Sequence, residues 1–225
     1  MSKYIIASSK DWFQNSKTTK EFEEFNFIYL NNKEDLELSK IEKINPRFIF
    51  FPHWSWMVPK EIYQNYNCVV FHTAPLPYGR GGSPIQNLIL RNFKESPVCA
   101  LKMNNILDGG PIYLTKEVSL LGSADEIFIR LSAIIQSMIV EIIEHDPKPK
   151  EQVGEATYFK RRNAFHSQLP NQSDELVEIY NHIRMLDAEG YPKAFINYGN
   201  LHIEFTDAIE KQDKVLANVL ISRQK

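Results

Sequence analysis

FHTAPLPYGRGGSPIQNLI, Phe71 to Ile89, holds the transition on which the fold turns. The apolar run Cys68-Val69-Val70-Phe71 leads into it, and residues 67–71 read as a strand ending at His72. Ala74-Pro75-Leu76-Pro77 and Gly79-Arg80-Gly81-Gly82 cannot extend that strand, because proline lacks the ladder donor and glycine favours turns. Residues 83–93 then read as a helix, with Pro84 in the first turn, where a missing N–H is no loss.

Outward from this stretch, strands and helices alternate. Residues 4–7, 25–30 and 47–51 read as strands, the last a continuous apolar run of the kind buried on both faces. Residues 35–44 carry Leu36, Leu38, Ile41 and Ile44 among charges and read as a surface helix; residues 60–66 form another after Pro59. Residues 98–103 and 112–118 read as strands flanking ILDGGPI, Ile106 to Ile112. Residues 124–144 form a long amphipathic helix with Ile127, Leu131, Ile134, Ile135, Met138 and Ile142 on one side. No G-x-G-x-x-G follows the first strand, so a dinucleotide fingerprint is absent. This alternation predicts an α/β fold with a Rossmann-like, mostly parallel sheet, whose ligands lie beyond the carboxyl ends of the strands. The tract Asp146-Pro147-Lys148-Pro149-Lys150 reads as a linker. It divides a first domain, 1–146, from a small C-terminal α+β appendage, 151–225. That appendage has a helix carrying Leu176, Ile179, Tyr180 and Ile183, and strands at 194–197, 201–206 and 214–221 around Gly199.

The 225 residues suffice for one substantial core and an appendage, and a 43% hydrophobic, 24% charged composition is ordinary for a globular chain. The net charge of −2 argues against a surface built to neutralise many phosphates. Residues 151–225 hold nine Lys and Arg against eleven Asp and Glu, a poor platform for nucleic acid, so no nucleic-acid partner is expected. Cys68 and Cys99 sit in apolar runs, as buried thiols do in a reducing cytoplasm. No four-ligand Cys/His spacing occurs, and no metal site is expected. The opening MSKYIIASSKDW has too short an apolar stretch for a signal peptide, and no apolar run nears the roughly 18 residues a membrane span needs.

His72 and Asp108 carry the chemistry. Each stands at a strand-to-loop transition, 36 residues apart. An imidazole beside a carboxylate handles protons near neutral pH. The plainer alternatives are a core histidine and a turn-forming Asp-Gly.

Here the chain resembles the formyltransferase family that uses 10-formyltetrahydrofolate. His72, Leu76-Pro77, Arg80-Gly81, Pro84 and Asp108-Gly109-Gly110-Pro111 match the family pattern in order and spacing, and the likeness runs over residues 46–200. The resemblance implies the formyltransferase fold and an amine attacking the formyl carbon of the folate. It assigns His72 as base or oxyanion stabiliser and Asp108 as its orienting partner. Trp56, Met57, Asn104, Asn105 and Asp108 would contact the folate; Thr73, Tyr78 and Arg80 would contact the second substrate. One position departs from the pattern: Val70 stands where the family has an Asn that donates to the formyl oxygen. Ser55, Thr73, Asn104 and Asn105 are the substitutes nearby in sequence.

Within the family, the shorter chain, its acidic tail and the resemblance of Ile183-Arg184-Met185-Leu186-Asp187 to the C-terminal segment of the sugar and tRNA members imply a nucleotide-linked amino sugar as acceptor. A 4-amino-4,6-dideoxy sugar of bacterial surface-glycan synthesis, of the pseudaminic acid type, is the favoured form. The alternatives are a methionyl-tRNA formyltransferase-like enzyme and a folate-binding homologue without turnover. A cytoplasmic homodimer with folate and sugar partners, and no membrane partner, completes the expectation.

Overall fold

The computed structural model describes residues 2–224. In chain order its elements are β1 (Tyr4–Ser8), α1 (Asp11–Gln14), α2 (Lys20–Glu23), β2 (Phe27–Leu30), α3 (Leu38–Ile44), β3 (Phe48–His53), α4 (Lys60–Asn65) and β4 (Cys68–Thr73). There follow β5 (Arg80–Gly81), α5 (Pro84–Leu90), β6 (Glu95–Lys102), β7 (Ile112–Ser119), α6 (Ala124–His145) and β8 (Tyr158–Phe159). The chain closes with α7 (Leu176–Arg184), β9 (Ala194–Tyr198), β10 (Leu201–Lys211) and β11 (Lys214–Arg223). Its contacts group it into two compact units: Met1–Gly81, Ser96–Val118 and Phe128–Tyr158 in the first, Gly82–Glu95, Ser119–Ile127 and Phe159–Lys225 in the second.

The first unit is built on a six-stranded sheet of order β2-β1-β3-β4-β6-β7. β1 pairs in parallel with β2 and β3, and β3 with β4, while β4 pairs antiparallel with β6. The sheet is therefore mostly parallel, with its switch point between β1 and β3. Ile5, Ile6, Ile49, Phe50 and Phe51 are fully buried, as parallel strands covered on both faces require. One core gathers Ile5, Ala7, Ile49, Phe51 and Cys68 with Leu30, Leu36, Ile41 and Ile62. Burying each large aliphatic side chain contributes about 1.5–3 kcal/mol. Buried Gln136, on α6, pins that helix to the loop after α1 through Ser16 Oγ (2.9 Å) and the Thr19 amide (3.3 Å).

Several elements shift from their sequence-based limits. The helix expected over 35–44 begins only at Leu38, since Leu36 (φ −91°, ψ 59°) breaks it after a 3₁₀ turn at Lys33–Asp35. The helix expected over 83–93 stops at Leu90, where Asn92 turns left-handed at φ 60°. β4 extends to Thr73, so His72 lies within the strand rather than after it. The expected cut at the Pro-Lys tract does not mark a change of unit. Lys150 exchanges backbone hydrogen bonds with Ile112 at 2.7 and 2.9 Å, and the chain stays in the first unit until Tyr158.

In the second unit an antiparallel sheet β11-β10-β9 stands with α5 and α7. Its strands are longer than their periodicity predicts, β10 reaching Lys211 and β11 reaching Arg223. Arg184 is 2% exposed; its Nη1 donates to the carbonyls of Leu120 (2.6 Å) and Gly122 (2.8 Å), and its Nε to Asn181 Oδ1 (2.8 Å). A depression of about 450 Å³ lies in this unit, lined in part by Arg91, Glu178 and His182. None of its lining residues is among the sequence-predicted site residues. Among the described residues no helix is long and apolar enough to cross a membrane.

Candidate active site

β4 delivers the histidine. Alternation along the strand puts Val70 and His72 on one face and Thr73 on the other. His72 is 6% exposed, and its Nε2 donates to the carbonyl of Gly79 at 2.8 Å. Gly79 is held by its own amide, which donates to Thr157 Oγ1 at 2.9 Å. The intervening loop contains a cis peptide at Leu76–Pro77.

Asp108 arrives by a less direct route. β6 runs antiparallel to β4 with Lys102 opposite Val69, so the chain leaving β6 starts at the amino end of β4. Three strand residues, about 10 Å, separate that point from His72. The chain must turn back along the strand for Asp108 to reach it. The reversal is made by a turn, Gly109 N–H to the Ile106 carbonyl at 3.0 Å, with Asp108 left-handed at φ 49°. A non-glycine residue there costs about 1–2 kcal/mol, which surrounding contacts must offset. Gly110 follows because a Cβ on it would stand 1.8 Å from the Lys102 carbonyl oxygen. The outcome is Asp108 Oδ2 at 3.5 Å from His72 Nδ1, with the same oxygen accepting the Gly81 amide at 2.9 Å.

With Nε2–H committed to Gly79, neutral His72 turns its Nδ1 lone pair toward a carboxylate oxygen. A proton between Nδ1 and Oδ2 satisfies both atoms. The pair can thus hold or pass one proton in a site sheltered from water.

Other sequence-predicted residues fall in varied surroundings. Arg80 donates through Nε (3.1 Å) and Nη2 (2.7 Å) to Gln152 Oε1. Asn104 Oδ1 accepts the Ile106 amide at 2.9 Å, which commits that oxygen to its own loop, and Asn105 is exposed. Thr73 is buried on the strand face opposite His72, and Tyr78 is half-buried in the loop. Trp56 packs edge-to-face on Trp54 at 5.0 Å and is 39% exposed; Met57 is 83% exposed. Ser55 Oγ is tied to Ser9 Oγ at 2.8 Å. Burial pushes the Cys68 thiol up to about 12 and the Cys99 thiol up to about 11, which keeps both protonated and inert.

Gln152 escaped the sequence reading. Its Nε2 donates to the carbonyls of Asp108 (2.8 Å) and Gly110 (2.9 Å) while Oε1 receives Arg80. It lies on a loop with no periodicity to flag it; only the neighbouring Gly154 and Thr157 mark a structured turn.

Residues 165–222 match the family model described as the C-terminal domain of methionyl-tRNA formyltransferase. A solved methionyl-tRNA formyltransferase from Clostridium thermocellum superposes with a TM-score of 0.92 at 43% identity, over 99% of this chain and 100% of that one. Methionyl-tRNA formyltransferase from Ehrlichia chaffeensis is 28% identical over 83% of this chain and 62% of its own length. That from Thermodesulfovibrio yellowstonii is 30% identical over 68% and 52%. The chain thus spans about half to three-fifths of the length of these curated relatives. A sugar N-formyltransferase from Shewanella sp. shares the fold at TM-score 0.64 and 16% identity, over 88% of this chain and 94% of that one.

These findings overturn two expectations: the nucleotide-sugar acceptor with its pseudaminic acid setting, and the absence of a nucleic-acid partner. The sequence likeness lies with methionyl-tRNA formyltransferases, and the sugar enzyme shares the fold alone. Neither net charge nor length identifies the acceptor. Net charge is a bulk quantity that says nothing of where the basic residues lie. Short length excludes nothing either, since the C. thermocellum chain is covered end to end.

Proposed function

The chain belongs to the formyltransferase family that includes methionyl-tRNA formyltransferase, and on that footing we propose that it moves the formyl group of 10-formyltetrahydrofolate to the α-amino group of methionyl-tRNA, in the cytoplasm. The observation that carries this reading is the 43% identity sustained over the whole of the C. thermocellum chain. The His72–Asp108 pair supplies chemistry suited to the reaction.

The neutral amine attacks the formyl carbon. A C–N bond forms, negative charge gathers on the formyl oxygen, and the amine nitrogen becomes positive. Collapse breaks the carbon's bond to the folate nitrogen, which takes up a proton as the amine loses one. Two services are needed: a donor or cation near the oxygen and an acceptor for the ammonium proton. Protonated His72, its two N–H groups turned to the Gly79 carbonyl and to Asp108, meets the first as a nearby cation, and the Asp108 carboxylate meets the second. No covalent enzyme intermediate is required. Val70 supplies no amide to the oxyanion, so the donor of the family pattern is missing unless another group takes its place. Losing such a donor costs roughly 2.7–4 kcal/mol of transition-state stabilisation.

The test is to incubate the full chain with 10-formyltetrahydrofolate and methionyl-tRNA, deacylated tRNA or free methionine, and to recover N-formylmethionine after mild base. Product from methionyl-tRNA alone supports the proposal. Folate binding with no product from methionyl-tRNA overturns it.

A further inference from the structure

One side chain joins three segments distant in sequence. The Gln152 amide uses its full hydrogen-bonding capacity: two N–H groups to the Asp108 and Gly110 carbonyls, and an oxygen shared by two Arg80 donors. Gly81, next to Arg80, gives its amide to Asp108 Oδ2. The contacts therefore close a ring that runs from Gly81 to the Asp108 carboxylate, from the Asp108 carbonyl to Gln152, and from Gln152 through Arg80 back to Gly81. Arg80 Nη1 also packs over Gly109, where an added Cβ would stand 3.1 Å from it. The ring encloses the left-handed turn at Asp108, a conformation that persists only when its surroundings over-determine it.

We infer that Gln152 is a positioning residue for the His72–Asp108 pair: it clamps the backbone on both sides of Gly109 and so sets the carboxylate against the imidazole. Gln152 is half-buried on its loop and acts through the Asp108 and Gly110 carbonyls. No other neutral side chain of this length offers two donors and a doubly accepting oxygen. A glutamate keeps the oxygen for Arg80 but sets a second oxygen against two carbonyls. A leucine abolishes both arms. Displacements near 1 Å at a reacting centre lower rates by up to about 100-fold.

The kinetic part of this inference rests on the formyl-transfer reading; the structural part does not. The experiment uses the full chain as wild type, Gln152→Leu and Gln152→Glu. Imidazole ¹⁵N spectra are followed against pH, with His72 assigned by its loss in His72→Ala. Both Gln152 variants should move the His72 nitrogen shifts and titration midpoint. Formyl transfer should fall about 10- to 100-fold in kcat with little change in KM for either substrate. His72 shifts and titration identical to wild type in a folded variant would overturn the inference. Gln152→Glu, which retains the Arg80 contact, keeps the question open to test should Gln152→Leu fail to fold. If wild type transfers no formyl group, the reaction is at fault, while the spectra still decide whether Gln152 places the pair.

Discussion

His72 Nδ1 stands 3.5 Å from Asp108 Oδ2, and each partner is held by a neighbouring glycine of one loop. The imidazole Nε2 is on the Gly79 carbonyl and the carboxylate oxygen is on the Gly81 amide. Two residues of the same Gly-rich turn therefore set both halves of the pair, and the pair cannot drift apart unless that turn deforms.

Asp108→Asn keeps the size of the side chain and removes its charge. The variant should fold as the wild type does, by circular dichroism, while kcat for formyl transfer falls by about 10²–10⁴. A loss confined to KM would mean that Asp108 only binds substrate.

Val70 shares the strand face of His72, so an amide placed there stands on the side of the imidazole. Val70→Asn should therefore raise kcat several-fold, short of the 10²–10³ that a fully formed donor provides. An unchanged rate would show that another group already contacts the formyl oxygen.

Gly110→Ala would drive a Cβ to within 1.8 Å of a backbone oxygen, which no rotamer can relieve. Overpacking of this kind costs about 1–3 kcal/mol, to be read as a lower urea midpoint. The displaced loop should also lower activity more than stability alone explains.

Burial, with Arg162 nearby, pushes His182 down to about 4 from its ordinary 6.5. Between those values the unfolded chain binds a proton that the folded chain refuses, so stability rises with pH through that window and falls on acidification. Melting temperature should drop from pH 7 to pH 5 by more in wild type than in His182→Gln. Equal drops would mean the imidazole does not couple to folding.

Arg184→Met should destabilise the second unit by leaving the Leu120 and Gly122 carbonyls without their donor. Each unsatisfied group costs about 1–3 kcal/mol. Chemical denaturation of the full chain measures it, and a loss under 1 kcal/mol would mean that water replaces the guanidinium.

What was legible in the chain follows from what local pattern can encode. The apolar run at Cys68–Phe71 and the breaker-rich loop after it announce a strand and its exit, and Asp108-Gly109-Gly110-Pro111 announces a turn. The convergence of His72 and Asp108 was foreseen from family spacing, but the backward turn that achieves it depends on the antiparallel pairing of β4 and β6. Gln152 was invisible because its partners lie 72, 44 and 42 positions away and no periodicity marks it. The makeup of the second unit was hidden too: α5 joins residues 159–225 by packing, not by adjacency. The acceptor was misread because length and net charge average over features that recognition depends on locally.

The most direct measurement is the initial rate of N-formylmethionyl-tRNA formation by the full chain at saturating 10-formyltetrahydrofolate, compared between wild type and a folded His72→Ala. Wild type should form product, and the variant should be slower by at least about 100-fold. Equal rates, or no product from wild type, would contradict the formyl-transfer reading.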